Sequence, residues 1–107
     1  MNLTLEFRAK AEKFQELYQS LQALLPTMRR EEGCLESHIY RDMEDGEVFF
    51  LSIAWEDERK FESYMRSTSG SALLGAVDLL SKAVRVRVGD NTPWEGINIL
   101  KRMRKGI

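Results

Sequence analysis

Hydrophobic residues in this chain change period along its length, from two to about 3.6 and back, and that switching constrains the fold most. Leu3, Leu5 and Phe7 alternate with Thr4, Glu6 and Arg8, the signature of a half-buried strand. From Ala9 the spacing lengthens. Phe14, Leu17, Tyr18, Leu21, Leu24, Leu25 and Met28 recur at i, i+3, i+4 and i+7, one stripe of a long helix. Pro26 lies within that stripe and predicts a kink or an end near the last turn. Glu31-Glu32-Gly33 then makes a turn into a second strand, Cys34 to Arg41, with Leu35, Ser37 and Ile39 on one face and Glu36, His38 and Tyr40 on the other.

Asp42-Met43-Glu44-Asp45-Gly46 reads as a hairpin connection in which Asp-Gly supplies the φ > 0 position. The third strand runs from about Glu47 to Trp55, and its aromatic and β-branched content predicts a central place in the sheet. Asp57 is the expected N-cap of a second helix carrying Phe61, Tyr64 and Met65. Gly70 interrupts it, and a further helical segment holds Leu73, Leu74, Val77 and Leu80. Ala83 to Val88 is the fourth strand. The order β-α-β-β-α-β predicts an α+β, ferredoxin-like domain with a four-stranded antiparallel sheet over residues 1–89. Residues 90–107 form a basic C-terminal extension, in which Trp94, Ile97 and Leu100 are expected on one face of a short helix that docks on a partner subunit, the alternative being a mobile arm.

A chain of 107 residues supports one domain. Its single cysteine, Cys34, and single histidine, His38, allow neither an intrachain disulfide nor a conventional four-ligand zinc site. The N-terminus lacks a basic segment followed by an apolar stretch, and the most apolar run, Val48 to Trp55, is far short of the roughly 20 residues that span a bilayer. A soluble, cytoplasmic protein with no membrane partner is expected. Sixteen basic residues against 17 acidic ones conceal an asymmetry, because residues 1–100 hold 12 basic and all 17 acidic groups, a net −5. Such an acidic body lacks the footprint of a nucleic-acid binder. There is no GxGxxG, Walker A or HExxH pattern, and nothing beside Cys34 except His38 would activate its thiol.

Helices on one face of the sheet must bury Leu3, Leu5, Phe7, Leu35, Ile39, Val84, Val86 and Val88, with one face of the third strand. The opposite face carries Thr4, Glu6, Arg8, Glu36, His38, Tyr40, Arg85 and Arg87, joined by either Phe50-Ser52-Ala54 or Phe49-Leu51-Ile53-Trp55. Those aromatics imply a cover, and a second copy of the chain is the simplest one. Two sheets facing one another would enclose a barrel-like interior. Histidine is the natural proton carrier near neutral pH, which nominates His38. Tyr40, two residues on, could hydrogen-bond a phenol or enol oxygen, and Arg85 or Arg87 could stabilise an oxyanion. A single His on a strand is nonetheless more often a satisfied polar residue than a catalyst. Glu6 and Glu36 could equally pair with Arg8, Arg85 or Arg87. Spacing alone therefore assigns these residues a structural role.

Glu31-Glu32-Gly33-Cys34-Leu35, then Ile39-Tyr40-Arg41-Asp42, then Phe49 to Glu58 with its Trp55-Glu56-Asp57-Glu58 junction, then Phe61 and Ser67, resemble the antibiotic-biosynthesis monooxygenase domain family. The resemblance covers about residues 3–88. It implies a dimeric α+β barrel of ferredoxin-like subunits, and in many members oxidation of quinols or polyketide phenols without metal or flavin. Trp55 matches the tryptophan that ends the third strand and often borders the substrate cavity. The family's haem-degrading branch uses a His about ten residues beyond that Trp and an Asn on the first strand. Here Met65 stands near the first position and only Asn2 is available for the second, so haem degradation is not implied.

The resemblance and the residues together predict a cofactor-independent monooxygenase acting on a small quinol or phenol with dioxygen. His38, Tyr40 and Arg85 are its candidate catalytic residues, Trp55, Glu36 and Arg87 its substrate-binding residues, and no cofactor or metal is expected. A homodimer would form through the open sheet face. The alternatives are a non-catalytic small-molecule-binding barrel with an ion-paired interior, or an acid–base isomerase using the same His38. An empty pocket of ~300 Å³ or more would favour ligand use.

Overall fold

The computed structural model describes residues 1–105. Its elements are β1 (Asn2–Ala9), α1 (Phe14–Arg29), β2 (Cys34–Arg41), β3 (Val48–Trp55), α2 (Glu58–Arg66), α3 (Thr68–Leu80), β4 (Ser81–Val88) and α4 (Asn98–Lys105). The strands form one antiparallel sheet in the order β2-β3-β1-β4. This is the ferredoxin-like α+β arrangement, with β3 central as its composition predicts.

Leu3, Leu5 and Phe7 pair with Ile53, Leu51 and Phe49, and Leu5 pairs with Val86, so these side chains share one face. That face is buried against Leu17, Leu21 and Met28 of α1, Phe61, Tyr64 and Met65 of α2, and Leu73, Val77 and Leu80 of α3. Phe49, Leu51, Ile53 and Trp55 therefore belong to the core, and Phe50, Ser52 and Ala54 belong to the open face.

Several local expectations change. Helix α1 begins at Phe14, the first residue of its apolar stripe, after Glu12 turns the chain at φ 64°, and it runs through Pro26 to Arg29. Leu35 was expected to face the helices but is 66% exposed. A β-bulge places Cys34 opposite Trp55 and Glu36 opposite Ala54, so Leu35 is the extra residue ejected from the ladder. Gly46 does not take a left-handed φ, unlike Gly33 and Gly89. The hairpin is held instead by Asp42 Oδ1, which accepts from the Glu44 and Asp45 N–H groups at 2.8 and 3.0 Å. Asp57 does cap α2, accepting from Lys60 N–H at 3.0 Å. The break before α3 falls at Ser67, whose hydroxyl caps the Gly70 N–H, and Gly70 lies within α3.

The described part of the extension packs on its own subunit. Glu95 bridges to Val86 through two 2.7 Å backbone hydrogen bonds, and α4 buries Leu100 and Met103 in the common core. Trp94 precedes the helix and does not share its face with Ile97 and Leu100. Among the described residues no helix is long and apolar enough to cross a membrane.

Candidate functional site

Strand register sets the geometry of the open face. One row across the sheet reads His38, Ser52, Thr4, Arg87, and the next reads Tyr40, Phe50, Glu6, Arg85. The side chains of a row point the same way because directly paired antiparallel residues share a face. Since β2 and β4 are the two edges, His38 and Arg87 of one row stand three strand spacings apart, about 14 Å, and Arg85, one row on, is farther still. The predicted residues thus form two groups within one subunit.

The group on β2 is Glu36, His38 and Tyr40. His38 Nε2 and Glu36 Oε1 are 3.0 Å apart, and the His38 and Tyr40 rings have centroids 6.0 Å apart. Tyr40 is 55% exposed. His38 and Glu36 also line a shallow cleft of about 290 Å³ with Arg29 and Leu35. Tyr40 borders a second cleft of about 250 Å³ between α1 and the end of β2. That cleft is walled by Phe14, Tyr18 and Phe49, with Phe14–Phe49 and Tyr18–Phe49 centroids 4.6 and 5.9 Å apart and near-parallel rings. The Arg41 guanidinium lies 4.3 Å above the Phe14 ring. Neither cleft reaches the ~300 Å³ typical of small-molecule sites.

The group on β4 is Arg85 and Arg87, with Glu6, which the sequence already places on this face as a possible partner, and Trp94, which it does not. Arg85 donates to Glu6 Oε2 at 2.5 Å. Arg85 and Arg87 both stack on the Trp94 ring, at 4.7 and 4.3 Å from its centroid. The Arg87 Nε is buried without a hydrogen-bond partner. Trp94 reaches this face because Glu95 pairs with Val86, a helix-side residue, so the preceding side chain faces the other way. The Gly89-to-Pro93 turn was the available signal that the chain reverses here.

Trp55 joins neither group. Its side chain is 0% exposed on the opposite face of the sheet, between Phe61 and Tyr64 at centroid distances of 5.7 and 5.3 Å. It cannot pack against a ring held by His38 and Tyr40, because the sheet itself lies between them. Burial pushes the Cys34 thiol above its ordinary range, outweighing the lowering influence of nearby Arg29, so the thiol is not activated. Among the described residues, no three His, Cys, Asp or Glu side chains converge on a common point.

Three solved structures that share this architecture have little sequence in common with the chain. The PA3566 protein of Pseudomonas aeruginosa superposes with a TM-score of 0.77 at 21% identity, over 86% of this chain and 93% of its own. A Bacteroides thetaiotaomicron protein of unknown function, described as a possible oxidoreductase, gives 0.75 at 14% identity over 80% and 90%. A Deinococcus radiodurans protein proposed to be an antibiotic biosynthesis monooxygenase gives 0.72 at 19% identity over 90% and 100%. Among curated proteins, none matches the sequence. The likeness to solved structures establishes the fold. The family follows from the sequence itself, whose residues 2–72 match the antibiotic biosynthesis monooxygenase family model, and the chain belongs to that family.

Proposed function

We propose that this protein is a cofactor-independent monooxygenase of small quinols or phenols that works as a homodimer, with the open sheet face as the wall of its site. The observation that carries the reading is the Glu36–His38–Tyr40 group, with its 3.0 Å His38–Glu36 contact, on an uncovered face of a family member. Glu36 orients the His38 ring, His38 takes the proton from the substrate hydroxyl, and Tyr40 donates a hydrogen bond to the resulting oxyanion. The phenolate passes one electron to dioxygen, the aryloxyl radical and superoxide combine at a ring carbon, and the hydroperoxide loses water. A quinol and dioxygen thus give a hydroxyquinone and water, with one oxygen atom in each product and no further reductant. A single ring is far smaller than 14 Å, so Arg85 and Arg87 serve a remote substituent or close the far side of the site.

The test is oxygen uptake with a panel of quinols. Wild-type protein should exceed the protein-free rate, and His38→Ala should lose about 10²–10⁴-fold. Wild-type uptake equal to the protein-free control across the panel overturns the reading.

A second reading, a non-catalytic binding barrel, is favoured by the Glu6–Arg85 pair and the Trp94 stack, which already occupy the β4 side of the face. It predicts saturable quinol binding under anaerobic conditions with no turnover in air. Anaerobic conversion of the ligand would instead indicate acid–base isomerisation.

A further inference from the structure

Positive charge also converges far from the open face. Lys101, Arg104 and Lys105 lie at i, i+3 and i+4 on α4, beside the buried Leu100 and Met103. With Arg66 at the end of α2 and Leu74 of α3, they line a groove of about 590 Å³ between the three helices. Its central cation is fixed in place. Arg104 Nε donates to the Met65 carbonyl at 2.9 Å, and its Nη2 donates to the Ser71 hydroxyl in the first turn of α3. Lys101 pairs with Asp78 at 3.2 Å. Among the described residues, Arg66 and Lys105 have no ion-pair partner.

One carboxylate against four cations leaves the groove strongly positive, on a chain whose first 100 residues carry a net −5. Helix dipoles favour basic residues in the last turns of α2 and α4. They account for where Arg66, Arg104 and Lys105 sit along their own helices. They do not account for two helix ends delivering their cations into one groove, where like charges repel. A guanidinium held in place beside two cations without ion-pair partners among the described residues suits the oxygens of a phosphate, and Leu74 offers an apolar contact next to them. The volume falls within the range of small-molecule sites.

We propose that this groove binds an organic phosphate monoester, its oxygens on Arg104, Arg66 and Lys105 and its apolar body on Leu74. The same chemistry is offered by a soluble metabolite and by a phospholipid headgroup, and one titration series separates the two. The probes are 1-naphthyl phosphate, 1-naphthol, and phosphatidylcholine vesicles doped with phosphatidic acid. They are tested against wild type and the double variant Arg66→Ser/Lys105→Ser, whose changes fall on exposed side chains. Naphthyl phosphate should perturb amide resonances around Ser71 and Leu74, naphthol should not, and added salt should weaken the binding. The double variant should bind at least about tenfold more weakly, the loss expected when charge-assisted hydrogen bonds are removed. Binding of the vesicles alone, lost in the variant, upholds the site with a lipid as its source. Equal binding by wild type and variant, equal binding of naphthol, or no binding of either phosphate overturns it. Quinol oxidation is not a readout here, so this outcome is independent of the function proposed for the open face.

Discussion

Trp55 is enclosed by Phe61, Tyr64 and the sheet, and its indole Nε1 is buried without an acceptor. A side chain so placed contributes through packing alone, since the unpaired N–H costs free energy. Trp55→Ala should destabilise the fold by about 3–5 kcal/mol, read as a lowered urea midpoint, whereas a mere pocket wall would leave the midpoint nearly unchanged. Trp55→Phe should cost much less, because the N–H it deletes has no partner. The side that Trp55 occupies was not legible from β3 itself, where Phe49 to Trp55 are apolar on both faces. It became legible only through register with β1, whose alternation of Leu3, Leu5 and Phe7 with polar residues has one reading. His38 and Tyr40 were legible for the same reason, since β2 alternates. Trp94 was not, because its position depends on a reversal after β4 and a two-bond bridge at Glu95.

Elements announced by a period switch, a cap or a turn were found where the chain announced them, while their irregularities depend on tertiary contact. The bulge at Leu35 has no local signature, since leucine suits the ladder. It arises where β2 must bring Cys34 opposite Trp55 while keeping Glu36 opposite Ala54. The α2–α3 junction is similar. Gly70 marks it in the sequence, but the helix breaks at Ser67, and the glycine has a different use. A Cβ at residue 70 would lie 2.1 Å from the Tyr64 carbonyl oxygen and 2.7 Å from Met65 Cα, both backbone atoms that cannot rotate away. Helix propensity alone would make Gly70→Ala stabilising by about 1 kcal/mol. The clash should reverse the sign and cost about 1–3 kcal/mol as α3 is pushed off α2. Thermal unfolding of Gly70→Ala checks this, with Gly75→Ala as the control, because nothing lies within 4 Å of a Cβ there. A higher melting temperature for Gly70→Ala would refute the close approach.

At the scale of the whole molecule, helices cover one face of the sheet and leave the other open except where Trp94 stacks on Arg85 and Arg87, with Tyr40 and Phe50 adjacent in one row across it. The homodimer proposed above covers that face, and its size can be tested against what association requires. Four strands of eight residues present a face of about 19 by 27 Å, so two copies bury on the order of 1,000 Å² in total. That is the lower limit for a specific interface, and a stable one buries about 1,200–2,000 Å². The remainder must come from the flanks, where Leu35 and Met43, 66% and 98% exposed, project from the β2 strand and its hairpin. Light scattering should therefore give twice the 12.4 kDa chain mass at micromolar concentrations, with dissociation on dilution. Phe50→Arg places a charge in the middle of the covered face and should yield monomers with unchanged far-ultraviolet circular dichroism. Leu35→Ser combined with Met43→Ser should raise the dissociation constant while leaving the subunit fold intact. A wild-type mass of 12.4 kDa throughout that range would remove the dimer, and a quinol site would then have to be sought within the single subunit, at the clefts beside β2.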